Sequence, residues 1–111
     1  MLKLNESEKE YRFGDSGPKY LVKGPMWEGG LVAFKKGQGL GLHLHNKVEE
    51  TFYIIEGDGE MIIDGKSYNA EAGDIFKIEP GERHNMKNNS DTLLKAFFIK
   101  CPFLPEDKVN C

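Results

Sequence analysis

Residues 37–57, GQGLGLHLHNKVEETFYIIEG, decide how this chain is read. At their centre His43 and His45 stand one residue apart, and the carboxylates of Glu49 and Glu50 lead into the run Thr51-Phe52-Tyr53-Ile54-Ile55. Side chains two apart on a strand share a face, so a strand here presents two imidazoles side by side. A carboxylate on a neighbouring strand would add an oxygen donor, giving the mixed set that iron, manganese, nickel, cobalt and zinc accept. The chain has three histidines, and the third, His84, lies in GERHNMKN. An HxH pair alone is a weak signal, because paired histidines also occur solvated or hydrogen-bonded. Three histidines out of three at ligand-like positions is a stronger one.

Outward from this stretch the chain alternates short apolar runs with turn signals. Residues 19–23 (KYLVK) read as a strand ended by Gly24-Pro25, Glu28-Gly29-Gly30 as a turn, and residues 31–36 (LVAFKK) as the next strand. Gly37, Gly39 and Gly41 do not open a helix, as a phosphate-binding loop would, and read as a flexible lead-in to the histidine strand. After Glu56, Gly57-Asp58-Gly59 reads as a hairpin turn. Asp64-Gly65 is the strongest hairpin signal, since a type I′ turn needs positive φ at both central residues. Further strands are expected over 60–63, 66–70, 75–78, around His84, Met86 and Asn88, and over 92–100. Short strands at this spacing, without helical periodicity, predict an all-β sandwich or barrel.

Two spaced sets of residues resemble the conserved motifs of the cupins. The first is Gly37, His43, His45, Glu50 and Gly57, and the second is Gly73, Glu79, Gly81, His84 and Asn88. One departure is visible: Glu79 stands where the cupin pattern usually has proline, and Pro80 follows it. The resemblance covers roughly residues 31–100 and implies a small antiparallel jelly-roll β-barrel, the double-stranded β-helix, with a metal inside. It also implies the ligand set His43, His45, Glu50 and His84, because the six-residue spacing to Gly57 selects Glu50 over Glu49. On a regular strand Phe52 and Ile54 share the face of Glu50 and would line the cavity, whereas Glu49 and Tyr53 point away. The activities the resemblance implies are those of small metal enzymes of the dioxygenase, isomerase, lyase or decarboxylase kind. The alternative is a metal-containing module that binds or senses a small ligand without turnover.

Three neutral imidazoles and one carboxylate around a divalent cation leave one net positive charge. A small anionic or chelating organic partner is therefore expected, such as an enolate, a hydroxy acid, a dicarbonyl or a ring-opened sugar, polarised by the metal acting as a Lewis acid. Met86 is expected as a pocket wall. Lys35, Tyr68 and Lys77 are the remaining candidates for an acid or base, and strand parity does not decide where they point.

A length of 111 residues, with 39% apolar and 30% charged residues, fits one domain: an arm over 1–18, a barrel over 19–100 and a tail over 101–111. The net charge of −3 and the scattered lysines give no reason to expect nucleic acid. No apolar run is long enough to span a membrane, and the N-terminus MLKLNESEKE lacks an apolar export segment, so a cytoplasmic location is expected. Cys101 and Cys111 then read as free thiols. The runs FYII and LLKAFFI are apolar on both faces, which predicts a covered outer wall and a homodimer.

Overall fold

A computed structural model describes all of residues 1–111. Its ten strands form two five-stranded antiparallel sheets laid face to face. The first contains β1 (Gly17–Lys23), β2 (Glu28–Phe34), β9 (Leu94–Cys101), β4 (Glu49–Glu56) and β7 (Ile75–Ile78), in the order β1-β2-β9-β4-β7. The second contains β10 (Val109–Asn110), β3 (His43–Leu44), β8 (His84–Lys87), β5 (Asp58–Ile63) and β6 (Lys66–Glu71), in the order β10-β3-β8-β5-β6. The expected all-β jelly roll is therefore what the chain forms. Its helical content is a single short turn, Glu6–Glu8, and no helix is long and apolar enough to cross a membrane.

Period-two alternation builds the core between the sheets. Val32 and Phe34 of β2, Phe52 and Ile54 of β4, and Leu94, Ala96 and Phe98 of β9 point inward and meet Met61 and Met86 from the other sheet. The apolar cluster fills one end of the sandwich; the other end is left for polar side chains.

Two turns read from the sequence fall elsewhere. Glu28, Gly29 and Gly30 do not turn but begin β2, where all seven residues are buried. Gly30 occupies an inward position opposite Phe98 and Tyr20, and a Cβ there would lie 2.0 Å from the Lys19 carbonyl. Glycine inside a strand marks a site where another backbone approaches closely, and here that backbone is the Lys19 carbonyl. Gly57 likewise does not make a hairpin, because β4 and β5 belong to different sheets. It carries the chain across the sandwich at φ 93°, where a Cβ would lie 2.2 Å from the Leu93 carbonyl. Asp64-Gly65 does form the expected type I′ hairpin between β5 and β6, at φ 49° and 80°.

The glycine-rich lead-in is pinned along β8 by hydrogen bonds from Leu40 N to the Met86 carbonyl and from Asn88 N to the Gln38 carbonyl. Asn88, fully buried, donates to the carbonyls of Phe34 and Thr92 and fixes that corner. The departure at Glu79 leaves the turn intact. Pro80 and Gly81, the latter at φ 87°, take the two central positions of a turn closed from Glu82 N to the Glu79 carbonyl.

The N-terminal residues pack on the outer face of the first sheet. Glu6 pairs with both Lys19 and Lys95, which flank Leu31 and Ala33 there. Leu31 and Ala33 are buried there, whereas Tyr53, Ile55 and Ile99 of the two runs that read as apolar on both faces, and Ile75 on the same sheet, remain exposed. At the other terminus, β10 extends the second sheet by pairing with β3.

Candidate metal centre

The four expected residues converge, and they do so from both sheets. His43 and His84 are directly paired on β3 and β8, with ring centroids 4.2 Å apart. His45 follows immediately after β3. Glu50 is not on a neighbouring strand of that sheet, as the sequence led us to expect, but on β4 of the opposite sheet, reaching across the sandwich. Its Oε1 lies 3.2 Å from Nε2 of both His45 and His84. One donor atom from each of the four lies within 4.8 Å of the others, and each residue is at most 4% exposed.

The backbone sets how the rings face. His43 Nδ1 donates to the Gly41 carbonyl at 2.8 Å, His84 Nδ1 to the Glu82 carbonyl at 3.0 Å, and His45 Nδ1 to the Asp107 carbonyl. A carbonyl only accepts, so each Nδ1 carries its proton and each neutral ring turns an Nε2 lone pair to the centre. The Nε2 lone pairs of His45 and His84 then face a carboxylate oxygen, an arrangement of acceptors that calls for a proton or a cation between them. The donor set thus fits a metal ion, with the carbonyls acting as the outer partners that orient ligating histidines.

Electrostatics agree with this arrangement. Burial pushes the His43 imidazole down to about 4, outweighing the Gly41 carbonyl that favours its cation. Burial also opposes a charged His45, but the hydrogen bonds to Glu50 and the Asp107 carbonyl prevail and raise it. For Glu50 burial favours the neutral acid, yet the bonds with His45 and His84 hold the carboxyl down to about 2.

The centre opens into a cavity of about 370 Å³ between the sheets. Phe52 forms part of its wall, as expected, while Ile54 and Met86 lie deeper, in the apolar cluster. Two residues along a strand is a step of about 6.6 Å, enough to leave the cavity. The three acid-base candidates all lie outside it. Lys35 pairs with Asp15, Lys77 with Glu49 and Glu79, and Tyr68 is 40% exposed.

Other polar groups, not singled out in the sequence, do line it: Tyr20, Glu28 and Lys100. Burial disfavours the Lys100 cation, but the nearby Glu50 charge and the Tyr20 hydroxyl raise its pKa, so it stays charged. The C-terminal residues contribute Asp107, whose carboxylate accepts from the backbone N–H groups of Asn46, Lys47 and Val48 at 2.7–3.0 Å and so holds the loop between His45 and Glu50. Nothing in the sequence around Asp107, between Glu106 and Lys108, signals this role, because its partners lie some 60 residues earlier.

Two antiparallel sheets enclosing three imidazoles and a carboxylate define a jelly roll of the kind that could hold a metal ion. The cupin domain family model matches residues 30–100, and the chain belongs to the cupin family. An oxalate-binding protein of Thermotoga maritima is 36% identical over 63 residues, covering 57% of this chain and 52% of that protein. A quercetin 2,3-dioxygenase of Bacillus subtilis is 28% identical over 105 residues, 90% of this chain and 31% of that enzyme. The chain thus spans about half the length of the first relative and a third of the second. Among solved structures, a conserved protein with a double-stranded β-helix domain from Klebsiella pneumoniae superposes with a TM-score of 0.84 at 18% identity, over 98% of this chain and 96% of that one. That likeness is one of fold.

The opposed shifts of two neighbouring histidines are directly observable. In the metal-free protein at pH 5, histidine NMR should show His43 as a neutral imidazole and His45 as an imidazolium. The depressed His43 value also means that the unfolded chain takes up this proton first, so its contribution to stability is whole above pH 6.5 and is lost as pH falls towards 4. A His43 resonance titrating near 6.5 would contradict the burial argument.

Proposed function

We propose that the chain holds one divalent transition metal ion through His43, His45, Glu50 and His84, and that the ion binds a small anionic or chelating ligand in the adjoining cavity. The observation that carries this reading is the orientation of the imidazoles: three Nδ1 protons are committed to backbone carbonyls, and the Nε2 atoms of His45 and His84 meet one carboxylate. The ion, iron, manganese, nickel, cobalt or zinc by its donor set, supplies Lewis-acid polarisation of a bound oxygen. Asp107 keeps the loop carrying His45 in place, Phe52 and Phe98 exclude water from one wall, and Lys100 adds a positive charge beside the ion.

A turnover reading, of the dioxygenase, isomerase, lyase or decarboxylase kind, is favoured by one observation. Lys100 and Tyr20 bring proton-carrying groups into the same cavity, hydrogen-bonded to each other at 2.8 Å. The names of the two curated relatives fit either reading, one a binder and one an oxygenase.

We further propose a homodimer formed through the outer face of the first sheet, where Tyr53, Ile55, Ile75 and Ile99 remain exposed. Sedimentation should give twice the chain mass, and Ile75→Glu should give the monomer; a monomeric parent protein would refute it.

The metal reading is tested by counting metal per chain in variants. His45→Ala should fall well below one equivalent, and Glu49→Ala, whose carboxylate pairs with Lys77 on the outer face, should keep its metal. The reverse pattern would overturn the ligand assignment.

A further inference from the structure

The cavity contains a second polar set that metal binding leaves unused. Glu28 of β2 is paired directly with Lys100 of β9, and Lys100 directly with Glu50 of β4. Directly opposed residues of an antiparallel sheet share a face, and all three line the cavity. The row therefore reads carboxylate, ammonium, carboxylate across three adjacent strands. Glu50 is turned towards the imidazoles at 3.2 Å. Lys100 donates to the Tyr20 hydroxyl at 2.8 Å, which leaves it two further N–H groups. Gly30 makes room for this: with no side chain inward, Tyr20 lies edge-on against Phe98, ring centroids 5.2 Å apart, with its hydroxyl at Lys100.

Glu28 is the unexplained member. It is 3% exposed, and its Oε2 is buried without a hydrogen-bond partner. A buried acceptor left unpaired is destabilising, more so when charged, and is retained where something else completes it. The group that completes it has to be a donor, and it has to sit beside the Lys100 ammonium. Neighbouring strands are about 4.8 Å apart, so Glu28 and Glu50 are separated by roughly 10 Å at the backbone. A molecule of a few carbons can reach from the metal position to this pair.

We propose that Lys100 and Glu28 recognise the far end of the ligand whose near end is held at the metal, and that this far end is a hydroxyl, making the ligand a short hydroxycarboxylate. The proposal rests on the metal-centre reading. A hydroxyl satisfies both residues at once, donating its proton to the Glu28 carboxylate and accepting from Lys100 Nζ. A second carboxylate at this place would accept from Lys100 but set two oxyanions against each other at Glu28. A methyl group would leave the Glu28 carboxylate and the two remaining Lys100 N–H groups without a partner. Lys100 and Glu28 are thus specificity residues, and neither is a metal ligand.

The test is calorimetric titration of the metal-loaded protein with 3-hydroxypropanoate and 4-hydroxybutanoate, each against the unsubstituted acid and the dicarboxylate of the same length. At least one hydroxy acid should bind tighter than both of its comparators by roughly tenfold or more, as a site built around a hydroxyl rejects analogues lacking it. Glu28→Gln removes the repelling charge and should move the preference towards the dicarboxylate by a similar factor. Lys100→Met should weaken the hydroxy acid and the dicarboxylate by a larger factor than it weakens the unsubstituted acid, which loses the nearby charge but no hydrogen bond. Metal per chain, counted in every sample, should stay at that of the parent. With metal bound, a parent protein that prefers the dicarboxylate, or binds none of these acids, overturns this proposal and leaves the metal reading standing. A parent protein that holds no metal overturns both. The ranking on the parent protein decides the matter even if a variant fails to fold.

Discussion

Everything in this fold is arranged around the burial of four polar side chains at one end of the space between two sheets, whose other end is filled by the apolar cluster. Three imidazoles and a carboxylate, none more than 4% exposed, are tolerable only because each has a fixed partner. Backbone carbonyls of Gly41, Glu82 and Asp107 take the outer nitrogens, and the inner nitrogens and Glu50 face one another. Because two of the ring carriers, β3 and β8, belong to one sheet and Glu50 to the other, the site also fixes how the sheets register. The proposed metal would tie them together, and its free energy of binding would then count as free energy of folding.

The residues outside the apolar cluster work to keep that arrangement in place. Asp107 closes the loop from His45 to Glu50 with three backbone hydrogen bonds, and β10 pairs with β3 beside it. The last ten residues therefore hold the site from the outside. On the opposite wall, the row of Glu28, Lys100 and Glu50 places one positive charge between two negative ones, so the cavity is neither a plain anion trap nor an apolar slot. Charge placement of this kind selects by the pattern of donors and acceptors in a ligand more than by its net charge.

The sequence and the structure agree where chemistry repeats at short range. His43 and His45 were legible from period two, His84 from its spacing to Gly81 and Asn88, and Asp64-Gly65 from the φ values its turn requires. What was not legible depends on pairing between distant strands. Glu28 was hidden in a Glu-Gly-Gly run that reads as a turn, and Lys100 among alternating apolar residues, where a lysine near a strand end usually faces solvent. Only the register β2-β9-β4 brings residues 28, 50 and 100 into one row. Gly57 misled for a related reason: a tight turn looks the same in sequence whether the next strand folds back beside the last or crosses to the other sheet. The family motif supplied Glu50, which local periodicity left level with Glu49.

The most direct test is X-ray absorption at the edge of the metal that the protein retains. The account predicts a shell of nitrogen and oxygen neighbours with the multiple scattering of three imidazoles. A shell with fewer than two imidazoles, or one with sulfur from Cys101 or Cys111, would contradict it.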